Sequence, residues 1–440
     1  MSAVTAEAAI AGDRPKAGGY DTTLFKLLIL GFLAACTFTA RPIFLGVSAQ
    51  HASLMYFDAP ILLILLLQTL MARFTVPGKG PRGVLRVFLP MFLLLIWWGI
   101  SGLLFAKRTD FFIASYLQFL NGVLVVLIFP WILHRFKLRE FAMNAVMGFS
   151  LVVDLVAFAQ AALDPHRIFE DITSTLSPNH AHIGLYMLVV LTIALNRSLY
   201  KGGWWPASVA CATFVVMLMS GSRAAQMGSL CILGVYFFRR MSFANFVKLA
   251  VGLILIAAVF AYIGKNRQEG LKQGGDFEIT KHVKIDKSAG RRLLMWIAAW
   301  GVINSSTERF VWGIGFTNFR WEYGKLIKLP FYTNAAHNAY LHIWTETGLF
   351  GLCLYLWAYG AIFLFAVSHR KDDPAAGLLA ALVVSMLITG MTQETLYPNE
   401  AFCNFNVFYA FGCVLLVMHT LEVVERRKAA QDDDSLIPIR

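Results

Sequence analysis

Residues 338–367 read NAYLHIWTETGLFGLCLYLWAYGAIFLFAV, an apolar run in which Glu346 is the single charged side chain. A helix needs about 20 apolar residues to cross the hydrocarbon core of a bilayer, so this run predicts a membrane-spanning helix. The whole chain has the same character, with 440 residues that are 58% hydrophobic and 15% charged and a mean hydropathy of +0.62. This composition excludes a water-soluble fold and indicates an all-α polytopic membrane protein.

Further apolar runs predict about twelve transmembrane helices in total. They lie near 24–40, 58–72, 84–105, 111–133, 141–163, 181–196, 205–219, 224–238, 247–264, 338–367, 375–392 and 401–424. The runs near 205 and 224 are short and are separated only by the segment from Ser220 to Arg223, so a re-entrant pair is an alternative there.

The distribution of Lys and Arg predicts the orientation, because positive residues of short loops stay in the cytoplasm. With the N-terminus inside, the cytoplasmic segments hold 21 of these residues and the short outer loops hold five. The remaining 12 lie in the long segment 265–336 between spans nine and ten, and long segments cross the membrane largely regardless of charge. Both termini are therefore predicted to be cytoplasmic, and the long loop faces outward.

This topology divides the chain into successive regions, with no internal repeat. They are a cytoplasmic N-terminal tail (1–22), spans one to nine (23–264), an outer loop (265–336), spans ten to twelve (337–424) and a cytoplasmic tail (425–440).

The outer loop carries its own pattern. Lys265 to Gly290 is polar, whereas Arg291 to Ile303 predicts an amphipathic surface helix with two tryptophans at headgroup depth. Its apolar residues at helical spacing are Leu293, Trp296, Ile297, Trp300 and Ile303. The segment from Trp312 to Gly315 then predicts a glycine-containing turn.

His337 and Asn338 stand where this loop meets the tenth span. Histidine is the side chain that exchanges a proton near neutral pH, so His337 is a candidate catalytic group at the membrane surface. A lone histidine at such a boundary is more often a hydrogen-bonded interfacial residue, and this alternative stays open.

Three arginines are candidates for holding an anion on the outer side. Arg223 follows Ser222 at the outer mouth of a span, where a guanidinium and the amides of a helix start can together hold a phosphate. A snorkelling interfacial arginine is the alternative. Arg291 and Arg292 open the surface helix, and a solvated basic helix start is the favoured explanation of either one alone.

Glu346 lies nine residues beyond His337, at a depth where a carboxylate is costly and needs a partner. It either orients the site or holds helices together, and the second role is favoured. All six cysteines fall inside apolar runs, and no histidine or cysteine spacing predicts a metal site. We expect neither a metal, nor a cofactor, nor a nucleic-acid partner.

The order of these features resembles the signature of the O-antigen ligase and O-antigen polymerase superfamily. The resemblance runs from Ser222-Arg223 through Arg291 and the Trp312–Gly315 turn to His337-Asn338, and ends with the segment from Glu346 to Gly351. The chain length and the single large outer loop are most similar to the ligase branch (WaaL type), whose architecture is similar to that of GT-C glycosyltransferases.

The resemblance implies a metal-independent, inverting glycosyltransferase of the bacterial inner membrane with its active site at the periplasmic face. The implied donor is O-antigen linked to undecaprenyl diphosphate, and the implied acceptor is the lipid A core oligosaccharide. In this reading His337 is the general base, and Arg223 with Arg291 or Arg292 holds the diphosphate. Ser222, Asn338 and Glu346 support the site.

Alternatives remain at this point. An O-antigen polymerase or another undecaprenyl-diphosphate glycan transferase carries similar motifs, and a polytopic transporter is a third class. The net charge of +4 between Lys265 and Arg292 suits an anionic core oligosaccharide, although a solvated loop has the same composition. Neither the donor sugar nor the oligomeric state follows from the sequence.

Overall fold

The computed structural model describes residues 22–37, 63, 66–67, 82–163, 180–240, 277–280, 283–285, 287–326, 335–393, 395 and 403–434. The predicted span at 247–264 lies outside these residues, and so does that at 58–72 except for Leu63, Leu66 and Leu67.

The described part of the chain is almost entirely helical. Its elements are α1 (Thr23–Thr37), α2 (Arg82–Val87), α3 (Leu89–Phe105), α4 (Thr109–Arg135), α5 (Arg139–Leu163), α6 (His180–Lys201), α7 (Trp204–Met219), α8 (Arg223–Arg240), β1 (Phe277–Thr280), β2 (Val283–Ile285), α9 (Lys287–Ile303), α10 (Thr307–Trp312), α11 (Phe319–Leu326), α12 (Ala339–Ser368), α13 (Ala376–Gly390) and α14 (Cys403–Asp434).

The helices have the lengths of a multi-pass membrane protein. Among the described residues, five helices are long and apolar enough to cross a bilayer, namely α4, α5, α6, α12 and α14. Four further apolar helices, α1, α3, α7 and α13, are shorter. Together with α8, these nine helices correspond to ten of the twelve predicted spans.

The centre of the bundle is formed by α6 and α14. In each of them 83% of the apolar window is buried inside the protein, so the other helices shield these two from the surroundings. Aromatic side chains fill the space between α1, α4 and α14, where the ring of Phe411 lies 4.7 Å from Phe129 and 5.3 Å from Phe32.

The predicted span 84–105 is divided into two helices at Phe88. Pro90 stands in the first turn of α3 and brings no backbone N–H, which favours a helix start over a helix interior. Phe88 accordingly leaves helical geometry, with φ −96° and ψ 6°. Hydropathy detects the length of this run but not its break.

The short helices α7 and α8 traverse the length of α6. The chain turns from Lys201, the last residue of α6, into Trp204 of α7, and it reaches Ser222 where Gly184 of α6 packs against it. The α7–α8 turn thus lies level with the beginning of α6. A re-entrant pair would instead place this turn about halfway along α6.

The predicted outer loop contains a structure that the sequence did not indicate. Strands β1 and β2 form an antiparallel hairpin in which Phe277 pairs with Ile285, a small exception to the all-α fold. Helix α9 follows and begins at Lys287, four residues before the predicted start.

Helix α9 has apolar residues on two faces, one buried against the protein and one exposed. The sequence predicted a single apolar face, directed toward the membrane. Met295, Ala298, Ala299 and Val302 are buried against the protein, and so is Ile303, which the prediction assigned to the membrane face. Ile297 and Trp300 are each 50% exposed, which leaves an apolar strip on the outside of the helix.

Candidate functional site

The first turns of α6 and α8 lie side by side at one end of the bundle. A methyl group on Gly184 would lie 3.0 Å from Cβ of Ser222, and one on Gly228 would lie 3.1 Å from the Leu188 side chain. Because both contacts advance by four to six residues in the same direction, α6 and α8 run parallel. Arg223, the first residue of α8, is thus at the same end as the start of α6.

Helix α13 runs in the opposite direction and brings α12 to that end. The Ser385 hydroxyl donates to the Gly228 carbonyl oxygen at 2.7 Å, and the Tyr340 hydroxyl donates to the carbonyl oxygen of Leu387 near the end of α13. The first turn of α12 therefore lies beside the last turn of α13, which in turn packs along α8. The N-termini of α6, α8 and α12 all open at this end of the bundle, which we call the candidate end.

Three helix N-termini at one end favour an anion. The first amides of a helix have no partner within the helix, and its dipole places partial positive charge there. Arg223 is exposed at the first position of α8, and Ser222 is buried just before it. Among the described residues, no group of three or more His, Cys, Asp or Glu side chains is placed to hold a metal ion.

His337 occupies a strained position just before α12. Its φ is +49°, a left-handed conformation that residues other than glycine adopt rarely, mostly in turns and at functional sites. Asn338 caps α12, because its side-chain oxygen accepts from the amide of Leu341 at 3.1 Å. The ring of His337 is half-buried, so it is held by its surroundings yet still reachable.

A buried histidine on α12, His342, holds the residue that precedes His337. Nδ1 of His342 accepts the amide N–H of Ala336 at 3.2 Å, which assigns the ring proton to Nε2. Nε2 lies 3.5 Å from Oε1 of Glu346, one helical turn deeper. His337 therefore stands between two fixed neighbours, Ala336 and Asn338.

Glu346 joins this histidine to the loop that precedes the site. Its two carboxylate oxygens accept the amides of Thr317 at 2.7 Å and Phe319 at 2.8 Å, and its side chain is 1% exposed. Charge-assisted bonds to a buried carboxylate are among the strong ones. In this geometry Glu346 holds elements together, and it supports the turn of His337 through His342.

The glycine-containing turn that follows α10 packs into a break in α12. Gly348 has φ +70° and ψ −177°, which interrupts the helix and leaves carbonyl groups of the preceding turn without helical partners. The amides of Ile314 and Gly315 donate to the carbonyl oxygens of Thr345 at 3.0 Å and Glu346 at 2.8 Å. Two motifs whose bonded residues are 31 apart in sequence thus form one structural unit.

The surface helix reaches the same turn. Ala298 and Ala299 of α9 are fully buried in a small cluster with Phe319 and Ala336, the residue before His337. Arg292 stands six residues before Ala298, about 9 Å along the axis at 1.5 Å per residue. Arg292 is half-buried and Arg291 is exposed. Both lie in the second turn of α9 and not at its start, as the sequence predicted, because the helix begins at Lys287.

Replacing Glu346 by glutamine should lower the thermal stability of the purified protein. A glutamine side chain offers one oxygen and one NH₂ group, so one of the two buried amides loses its acceptor. Lost hydrogen bonds to a charged group cost about 1.5–3 kcal/mol. Glu425→Gln, at an exposed position of α14, should change stability by less than about 0.5 kcal/mol. Equal unfolding midpoints for the two variants would contradict this account of Glu346.

Sequence reasoning missed His342, which the structure places at the centre of the site's support. Its spacing of four residues from Glu346 was a usable signal, because residues four apart share a helix face. The acceptor role of its Nδ1 could not be inferred, since Ala336 precedes the helix.

Residues 207–356 match the family model described as O-antigen ligase. The match includes Ser222, Arg223, Arg291 and Arg292, and it extends past the break at Gly348. No curated protein matches the chain. The matched segment contains the turn of His337 and the unit that supports it, so this part of the chain is similar to the O-antigen ligase family.

Proposed function

We propose that this protein transfers O-antigen from undecaprenyl diphosphate to the lipid A core oligosaccharide. The single observation that carries the proposal is the position of His337, in a strained turn at the end of the bundle where Arg223 and three helix N-termini also lie, all within or beside the family match. A histidine and an anion site at one membrane surface suit a lipid-linked diphosphate donor.

His337 acts in this mechanism as the general base. A sugar hydroxyl of the acceptor is too weak an acid to attack unaided, so its proton passes to the imidazole while its oxygen bonds to C1 of the donor sugar. The bond between C1 and the diphosphate oxygen breaks, and its electron pair stays on the diphosphate. A single displacement of this kind inverts the anomeric centre.

Arg223, with Arg291 or Arg292, stabilises the diphosphate as it leaves. Its charge grows as the bond to C1 breaks, and fixed guanidinium groups and helix N-termini bind that charge more strongly than water does. Ser222 contributes through the turn that precedes α8, where its amide donates to the Ser220 hydroxyl at 3.4 Å. The reaction then proceeds without a metal.

The candidate end faces the periplasm in this proposal, and the chain lies in the bacterial inner membrane with both termini in the cytoplasm. The excess of Lys and Arg in the loops at the opposite end supports this orientation.

The lipopolysaccharide profile of a deletion strain tests the proposed activity. A strain that lacks this protein should make core lipopolysaccharide without O-antigen while lipid-linked polymer accumulates, and the wild-type gene should restore the ladder on gels. If the deletion instead leaves core capped by single repeats, the protein is a polymerase and the ligase assignment is wrong.

Arg223→Ala should slow transfer to purified lipid A core by about 100- to 1,000-fold, the range seen when one donor to a developing charge is removed. Arg223→Lys should recover part of the rate, because it keeps the charge but not the two-pronged geometry. Arg427→Ala, which removes an exposed arginine at the other end of the bundle, is the matched control and should leave the rate unchanged. An Arg223→Ala enzyme with the wild-type rate would remove Arg223 from the mechanism.

A further inference from the structure

A second polar site lies at the end of the bundle opposite to the candidate end. A pocket of about 320 Å³ opens where α6 ends and α7 begins, and its walls include Asn144, Arg197, Lys201, Trp204 and Trp205. Lys201 is 17 residues beyond Gly184 on α6, which corresponds to about 26 Å along the helix. The pocket is therefore separate from the site proposed for transfer.

Arg197 is a buried cation in the wall of this pocket. It is 5% exposed, and its guanidinium donates to Asn144 Oδ1 at 3.2 Å and pairs with Glu140 Oε1 at 3.4 Å. Its Nε has no hydrogen-bond acceptor among the residues that the structure describes. Nε itself is shielded from solvent, so Arg197 contributes a fixed positive charge to the wall of the pocket and not a free donor.

Lys201 adds a second positive charge at the rim. Its ammonium group pairs with Glu140, and its side chain is 44% exposed. Among the residues that line the pocket, Arg197 and Lys201 carry positive charge, and both pair with the same carboxylate, Glu140. One positive charge therefore remains after the ion pairs are formed.

The start of α7 points its free amides to the same place. Gly202 and Gly203 have φ of +63° and +84°, and the cap residue Gly203 offers no side chain to satisfy the first turn. Trp204 and Trp205 therefore contribute amides without helical partners, at the positive end of a 16-residue helix. This backbone geometry, with Arg197 and Lys201, is what binds the oxygens of a phosphate group.

We propose that this pocket binds a phosphate group, carried either by the headgroup of an anionic phospholipid or by a soluble phosphate. Trp204 is 77% exposed beside the pocket, and tryptophan is enriched at the headgroup level of membranes. In the orientation predicted from the Lys and Arg distribution, the headgroup would belong to the cytoplasmic leaflet. This inference does not depend on the transfer activity.

Thermal unfolding of the full-length protein in detergent tests the proposal with three probes. Phosphatidylglycerol should raise the unfolding midpoint, phosphatidylcholine should not, and inorganic phosphate tests the soluble source. Lys201→Gln should require about fivefold more phosphatidylglycerol for the same shift, as expected for one cation near an anionic headgroup. Native mass spectrometry should show correspondingly less lipid retained by this variant.

Lys371→Gln is the matched control, because Lys371 is an exposed cation at the same end of the bundle but outside the pocket. It should respond to lipid as the wild type does. A shift with inorganic phosphate but not with phosphatidylglycerol would assign the site to a soluble phosphate. The proposal fails if neither probe shifts the wild type, or if Lys201→Gln responds to both as the wild type does.

Discussion

His337→Ala should abolish the attachment of O-antigen to lipid A core while lipid-linked polymer accumulates. General base catalysis contributes typically about 100- to 10,000-fold to a rate, and this change removes the proposed base. The change removes a half-buried side chain that lies before the first turn of α12, so the bundle should still fold. The measurement is the rate of transfer by purified enzyme, together with the lipopolysaccharide ladder of a complemented deletion strain.

His134→Ala is the control, since His134 is an exposed histidine at the opposite end of the bundle, near the end of α4. That variant should transfer at the wild-type rate. Equal expression of both proteins in membranes makes the comparison valid. Normal capped lipopolysaccharide from the His337→Ala strain would show that another group takes the proton.

Gly348→Ala should leave little folded protein. At this position φ is +70°, which costs a residue with a side chain about 1–3 kcal/mol. A methyl group there would also lie 2.0 Å from the carbonyl oxygen of Val311, a backbone atom that cannot rotate away. The loop and α12 would have to separate, which breaks the hydrogen bonds from Ile314 and Gly315. The yield of monodisperse protein and its unfolding midpoint should both fall.

Gly360→Ala tests whether the loss comes from position 348 and not from alanine in the helix. Gly360 lies on the same helix, and a methyl group there meets no atom within 4 Å. Alanine should fold normally there and stabilise the protein by about 0.4–1 kcal/mol, because it restricts the unfolded chain. Similar yields for Gly348→Ala and Gly360→Ala would mean that the break in α12 is not needed.

The helices of this fold could be predicted from the sequence because their signal is local. The run at 111–133 became Thr109–Arg135, so length and apolar composition were sufficient there. The run at 338–367 became Ala339–Ser368, but its break at Gly348 was not predicted. The break at Phe88 was missed, because an apolar residue carries no hydropathy signal for a change in backbone direction. Pro90 was the available indication.

The candidate site could be predicted only in part from the sequence, because its arrangement depends on contacts between distant segments. His337, Asn338 and Glu346 were named from one apolar boundary, but the link through His342 to Ala336 requires a tertiary turn. The two faces of α9 illustrate the same limit. A helix with apolar residues on several sides can bury either face, and the packing of Ala298 and Ala299 against Ala336 decides which.

The contact between the turn after α10 and the broken part of α12 affects how this chain can be recombined with similar proteins. Because Ile314 and Gly315 donate to carbonyl groups at 345 and 346, neither segment has a complete set of backbone partners without the other. A chimaera that takes residues 307–319 from a relative must therefore also take residues 339–351. A crossover placed between these two stretches would take them from different parents. Crossovers outside both stretches would keep them from the same parent.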